Sequence, residues 1–216
     1  MSAEPLSSFA DSAELWNRRY SGDDFLFGTA PNAWLRAHAG VWVPGDQVLC
    51  VADGEGRNGV WLAQQGLLVT SFDIADKAVA KASALAGRHG VVDRFQARIA
   101  DVDGYPWPIG ALDGVAAIFV QFADPTLRQR MFALIAAALR PGGMLVLQGY
   151  TPEQVGRGTG GPPQASHMYT EAMLRQAFAD LEIVEIQTYE DDVNEGLGHR
   201  GRSALIGMVA RRRAAT

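Results

Sequence analysis

The chain has 216 residues, 48% hydrophobic and 20% charged, enough for one three-layer core and too little for a second catalytic domain. A net charge of −5 and a pI near 5.3 argue against nonspecific nucleic-acid binding, which needs a basic field. The lone Cys50 excludes an internal disulfide, and no apolar run approaches the roughly 18 to 20 residues of a membrane span. The opening M-S-A-E-P has neither a basic n-region nor an apolar h-region, so the expected location is a reducing cytoplasm. Hydrophobic periodicity then predicts a helix over 11–20 and a short one over 31–39. Strands follow at 47–52, 67–72, 94–99, 113–119 and 143–149, with helices at 57–65, 76–88 and 125–139. The last of these helices meets Arg140, Pro141, Gly142 and Gly143, the stop order of a C-cap. A glycine-rich loop, 156–163, leads to a helix over 170–179. Two strand-like runs, 181–189 and 202–210, have no helix between them and are expected to pair antiparallel. The reading is a single α/β domain over 1–216, with a helical lid over 1–40 and a doubly wound, Rossmann-like core over 41–216. Its seven-stranded sheet is mostly parallel, with a reversed last strand, between two helical layers.

The chemistry is expected where V-L-C-V-A-D-G-E-G-R-N (48–58) takes an apolar strand into a glycine turn and a helix. Gly54 and Gly56 let backbone approach a ligand, and the helix beginning near Arg57 offers free N–H groups. Asp73, nineteen residues past Gly54 and at the end of the second strand, stands where a carboxylate takes two ribose hydroxyls. G-E-G-R-N-G at 54–59 also fits the dinucleotide fingerprint G-x-G-x-x-G, so the loop alone does not choose a cofactor. The rest of the chain does. A dinucleotide fold needs a second nucleotide-binding half, whereas here the fifth strand leads to one helix and a closing hairpin. Neither lysine of the chain, Lys77 or Lys81, follows a tyrosine at the spacing a short-chain dehydrogenase requires.

With that hairpin, the chain resembles the class I S-adenosylmethionine-dependent methyltransferases over residues 10–210, and within them the tellurite-resistance methyltransferase group and its small-molecule relatives. The likeness lies in W-N-R-R-Y (16–20), F-G-T-A-P-N (27–32), G-E-G-R-N (54–58), L-R-P-G-G (139–143), G-T-G-G-P (158–162) and E-G-L-G-H-R-G (195–201). Two positions depart from the family pattern: Cys50 stands where an acid is usual and Ala52 where a glycine is usual. Asp53 is placed to supply the missing charge.

The resemblance implies S-adenosylmethionine as cofactor, S-adenosylhomocysteine as product, and binding residues along the C-terminal edge of the strands. Ala52, Asp53, Gly54 and Gly56 would meet the methionine moiety and ribose, Asp73 the ribose hydroxyls and Ile74 an adenine face. Asp101, followed by Val102, would accept from the adenine amino group, and Gln121 would lie beneath the methyl. Asp101 equally seeds an Asx-turn in D-V-D-G. The hairpin connection 190–200 should open on the same edge, so that Glu195, His199 and Arg200 face the methyl, with His199 as proton acceptor or oxyanion binder. Equally, Glu195 and His199 could hold the turn together. Tyr20 and Trp16, one helical turn apart, could cover the sulfonium or anchor the helix on the core. Cys50 reads as a buried hydrophobe, His38 and His89 as surface or helix-end residues, and no residue set has metal-ligand spacing. The expected partner is a small acceptor, a thiol, metalloid oxyanion or other soft nucleophile, with Arg18, Arg157, Arg200 and Arg202 near the mouth suiting an anion. A noncatalytic cofactor-binding protein of the same fold is the alternative, and an NAD-linked oxidoreductase a distant third. The N-terminal segment could also pack on a second copy as a homodimer.

Overall fold

The computed structural model describes residues 9–196 and 198–214; the M-S-A-E-P start and Leu197 of the hairpin motif lie outside the described residues. Six helices, α1 (Phe9–Arg19), α2 (Ala33–His38), α3 (Arg57–Gln64), α4 (Asp76–Arg88), α5 (Pro125–Ala138) and α6 (Glu171–Ala177), flank one sheet. Its strands are β1 (Gln47–Val51), β2 (Leu68–Asp73), β3 (Phe95–Ile99), β4 (Leu112–Ile118), β5 (Leu139–Tyr150), β6 (Leu181–Glu195) and β7 (His199–Arg212). They lie in the order β3-β2-β1-β4-β5-β7-β6. The first five pair parallel, and β7 runs antiparallel to both β5 and β6. The expected seven-stranded, mostly parallel sheet with a reversed last strand is therefore what the chain forms. A reversed strand wedged between β5 and β6 also removes the second parallel half that a dinucleotide fold requires.

Alternation along the strands divides the core in two. Val48 and Cys50 of β1 face α2, α3 and α4, packing with Trp34, Leu62, Leu85, Val146 and Val209. Leu49 and Val51 face the other way, with Met131, Phe132 and Ile135 of α5 and Leu174 of α6. In α4 the buried Ala78, Ala82, Leu85 and Ala86 recur at helical spacing, while α5 begins with Asp124 accepting from the Leu127 amide at 2.8 Å and Pro125 in its first turn. No helix among the described residues is long and apolar enough to cross a membrane.

Several boundaries differ from expectation. The short N-terminal helix begins after Asn32, whose side chain caps it by accepting from Leu35 N at 3.0 Å, and it passes into a 3-10 turn at Ala39–Val41. R-P-G-G is not a helix cap: α5 ends at Ala138, Leu139 is extended, and residues 139–143 already belong to β5, where Leu139 pairs with Leu112. Residues 100–111 carry no helix between β3 and β4; Tyr105 fills that space by stacking on Phe72 at 4.4 Å. The connection expected over 190–200 is almost all strand. Pairing continues to Glu195 opposite His199.

Candidate functional site

The C-terminal ends of β1 to β5 and the β6–β7 turn share one edge of the sheet, and two clusters stand on it. The first is the turn after β1. Ala52, Gly54 and Gly56 have φ of 47°, 58° and 85°, three left-handed residues within five. The Asp73 carboxylate clamps this turn, accepting from Gly54 N at 3.0 Å and Ala75 N at 2.9 Å. Burial pushes Asp73 up to about 6 against the pull of those amides. The two glycines serve different ends. A Cβ on Gly54 would stand 2.8 Å from the hydroxyl of Tyr20, which covers the turn, whereas one on Gly56 would strike Ala82 of α4 at 2.7 Å. Gly56 thus allows close packing of the turn on α4, a role the sequence reading did not give it.

Asp53 also departs from expectation. Its carboxylate turns inward and accepts from Gly59 N at 2.9 Å, capping α3, whose own N-cap residue, Gly56, has no side chain to do so. Burial raises it to about 7 although the Gly59 amide and Arg57 pull the other way. It is therefore not an outward charge replacing the acid absent at Cys50. Cys50 is a buried hydrophobe as read, its thiol pushed up by burial and by Asp53. Ala52 lacks the glycine its conformation favours, a strain of about 1 to 2 kcal/mol. Ala52→Gly is expected to raise stability by about 0.5 to 1 kcal/mol after the added unfolded-chain entropy is deducted. Urea unfolding checks this, and a destabilised variant would show that the turn carries no such strain.

Around the turn, Ile74 is half-buried, and Asp101 and Val102 follow β3, joined to the site by Ala100 N donating to Asp73 O at 3.0 Å. Asp101 holds the turn after β3 through a bond three residues on, accepting from Gly104 N at 2.6 Å, not through an Asx-turn, and Val102 is buried against Phe72 and Tyr105. Tyr20 is 4% exposed, stacked on Trp16 at 5.6 Å and packed on Ala75 and Ala78. It both anchors α1 and stands over the glycine turn. Glu55 ties down the following segment, accepting from Leu26 N at 2.7 Å and pairing with Lys81 at 2.8 Å.

The second cluster gathers at the hairpin. Glu195 accepts from Arg57 at 2.5 Å and from Asn32 Nδ2 at 2.8 Å, with the Arg57 and Glu195 side chains only 8% and 12% exposed. The same Asn32 amide donates to Gln148 at 2.5 Å, and Gln148 in turn donates to the Tyr189 hydroxyl. His199 lies against Phe119 at 4.5 Å and Phe27 at 4.6 Å between ring centroids, with Nδ1 3.8 Å from Glu195, beyond a direct hydrogen bond. Burial holds its pKa below the usual imidazole value, Glu195 only partly restoring it, so the ring is neutral at pH 7. Phe119 has a left-handed φ of 55°, a strained position at the end of β4.

Gln121 is not aimed outward. Its amide is buried and committed, accepting from Tyr150 N at 2.6 Å and donating to Tyr150 O at 2.9 Å. Arg18, Arg157 and Arg202 each pair with a carboxylate, Glu14, Glu190 and Glu190 respectively, so they do not form the free cationic mouth expected of them. His38 is the helix-end residue it was read as, closing α2 and stacking on Trp34 at 3.8 Å. Among the described residues no group of three or more His, Cys, Asp or Glu could hold a metal. Asn32, Arg57, Gln148 and Tyr150 were missed by the sequence reading. The signals were a polar Gln148 inside an apolar strand, and an asparagine and arginine left without roles inside F-G-T-A-P-N and G-E-G-R-N.

Residues 48–143 match the family model described as a methyltransferase domain. No curated protein matches the chain. Among solved structures, it resembles the N-methyltransferase NodS from Bradyrhizobium japonicum in complex with S-adenosylhomocysteine, at 15% identity and TM-score 0.72 over 94% of this chain and 99% of that one. It resembles TehB from Haemophilus influenzae at 16% identity and TM-score 0.68, over 93% and 67%. It also resembles the [4+2]-cyclase SpnF at 16% identity and TM-score 0.71, over 99% and 100%.

Proposed function

We propose, from a chain that carries the domain and fold of the S-adenosylmethionine-dependent methyltransferases, that it transfers a methyl group to a small-molecule acceptor, a thiol, metalloid oxyanion or other soft nucleophile. The observation that carries this reading is the Asp73 clamp on Gly54, set on the same sheet edge as the His199 hairpin. The donor set fits the cofactor: the Asp73 carboxylate and the Gly54 backbone stand together at the strand edge under the Tyr20 hydroxyl, whose displacement would open the place beside Gly54. Asp73 would take the ribose hydroxyls, Ala52 to Gly54 the methionine end, Ile74 an adenine face and Asp101–Val102 the adenine edge. Bound there, S-adenosylmethionine supplies an already activated methyl on a sulfonium. What remains for the chain is to align the acceptor, exclude water and receive a proton. Alignment can be worth about 7 to 11 kcal/mol and a general base roughly a hundred- to ten-thousandfold in rate.

His199 is the proton acceptor in this reading, and Glu195, 3.8 Å away, steadies the imidazolium that results. His199→Ala is expected to lower kcat by about a hundredfold or more without changing S-adenosylhomocysteine affinity. Unaltered turnover would leave His199 a structural part of the turn. Isothermal titration with S-adenosylhomocysteine and with NAD tests the cofactor: binding of NAD alone would overturn the proposal in favour of an oxidoreductase.

A second reading, a cofactor-binding protein of this fold that performs no methyl transfer, draws on the strained Ala52 and on Cys50 in place of an acid. Cofactor binding without transfer across an acceptor panel would select it.

A further inference from the structure

Two buried polar atoms near the hairpin have no hydrogen-bond partner: the Tyr150 hydroxyl and His199 Nδ1. They belong to one aromatic box. Tyr150 stacks on Phe119 at 4.6 Å and meets His199 edge-on at 5.7 Å, while Phe27 closes the other side of the imidazole. The Gly160 backbone seals the top, where an added Cβ would collide with the Tyr150 hydroxyl and lie 2.9 Å from His199 Cδ2. Two elements hold the box in shape. Gln121 grips both backbone groups of Tyr150, and Gln154 pins the glycine loop by donating to Thr159 Oγ1 at 2.8 Å and accepting from Ala204 N at 2.9 Å. Buried polar atoms without partners cost free energy, so a pair of them on a rigid frame marks a place where a ligand supplies the partners.

We propose that the box of Phe27, Phe119, Tyr150 and His199 is the acceptor subsite, that it takes a compact uncharged thiol, and that Tyr150 is a substrate-positioning residue. The inference rests on the methyl-transfer reading. A cavity of about 460 Å³, lined by Asn32, Gln148, Tyr189, Glu195 and Leu205, meets the box at Phe27 and has room for the rest of a small molecule. Its remaining charged lining is Arg36 against Asp191 and Asp192, and the charge of Glu195 is matched by Arg57, so no net positive field gathers an oxyanion. Inside the box the groups are neutral: burial keeps the Tyr150 phenol protonated and the His199 imidazole unprotonated, with Glu195 and Arg57 facing His199 and Arg19 farther off. A neutral imidazole matches a nucleophile of intrinsic pKa near 8.5, that of a thiol, better than any less acidic hydroxyl. The thiol proton passes to His199. The acceptor sulfur then bonds to the methyl carbon as the carbon–sulfonium bond breaks, leaving a neutral thioether on each side and an imidazolium beside Glu195. Tyr150 donates to a second heteroatom of the acceptor.

The test follows S-adenosylhomocysteine formation by the full chain with 2-mercaptoethanol, anionic mercaptoacetate, cationic cysteamine and tellurite, after titration has established that S-adenosylhomocysteine binds. Neutral 2-mercaptoethanol is expected to exceed the charged acceptors at least tenfold in kcat/KM. Tyr150→Phe is expected to raise its KM about tenfold, the worth of one hydrogen bond, with a smaller change in kcat. The same variant should unfold at an equal or higher temperature, because it deletes an unpaired buried hydroxyl. Preferred turnover of tellurite or a charged thiol, or no turnover of neutral thiols, overturns the acceptor assignment while the cofactor reading stands. An unchanged KM with lowered stability gives the Tyr150 hydroxyl to an internal water. Absence of S-adenosylhomocysteine binding overturns the methyl-transfer reading itself.

Discussion

Arg57→Met is expected to cost about 3 to 5 kcal/mol of folding stability, the usual penalty for leaving one member of a buried ion pair uncompensated. Arg57 and Glu195 are separated by most of the chain yet meet at 2.5 Å with almost no solvent contact, so water cannot replace the lost guanidinium. The double variant Arg57→Met/Glu195→Met should recover much of the loss, since no charge is then stranded, although Asn32 loses one acceptor. Urea unfolding of both singles and the double, combined as a mutant cycle, measures the coupling. Burial pushes the Glu195 carboxyl up, but the Arg57 charge and its hydrogen bond outweigh it and hold it at about 2. A depressed carboxyl stabilises above its unfolded value near 4.5 and loses that contribution as pH falls toward 2. In Arg57→Met, burial faces less opposition, so the acid limb of the stability curve should move to higher pH. A single variant costing less than about 1 kcal/mol would mean that the pair is solvated and that the hairpin is held by other contacts.

That pair also marks the limit of what sequence could disclose. The succession of strands and helices along the chain and the glycine turn were legible because they rest on local signals: apolar runs of period two or unbroken, a turn glycine before a helix, and a carboxylate at a fixed spacing. The reversed last strand followed from a missing helix between two strand-like runs. The hairpin's reach was not legible, because E-D-D-V-N-E carries one apolar residue, Val193, too few to imprint a period, and its other inward side chain, Glu195, is held by partners distant in sequence. R-P-G-G resembled a helix stop because its residues favour turns, yet Leu139 pairs across the sheet with Leu112. Asp53 looked like an outward charge because nothing in D-G-E-G-R-N-G reveals that Gly59, lacking a Cβ, leaves room for it to cap α3. Likewise the Asn32 amide joins Gln148 and Glu195, partners 116 and 163 residues away, a meeting that only the folded sheet edge creates.

Asp73→Ala should weaken S-adenosylhomocysteine binding by about a hundredfold or more, through loss of charge-assisted hydrogen bonds worth about 1.5 to 3 kcal/mol each. Without ligand, the same carboxylate is a liability. Buried under Tyr20 and raised to about 6 from an unfolded value of 3.8, it favours the folded state in its protonated form. Its contribution is complete below pH 3.8 and is lost as pH rises through 6, a change of about 3 kcal/mol. Asp53, raised to about 7, acts in the same direction, while His199, with its lowered value, opposes both by favouring the fold as pH rises toward 6.5. Ribose hydroxyls would reverse the sign for Asp73, because they donate to its ionised form. For them to reach it, the Tyr20 hydroxyl must yield the place it holds beside Gly54. S-adenosylhomocysteine affinity should therefore climb between pH 5 and pH 7, and the rise in melting temperature at saturating ligand should grow over the same interval. Asp73→Asn retains an oxygen that can accept from the Gly54 amide but carries no charge, so it should fold, bind weakly and show no growth of the thermal shift with pH. Equal affinity of Asp73→Asn and the parent chain at pH 8 would remove Asp73 from the ribose site and leave it as the clamp on the turn.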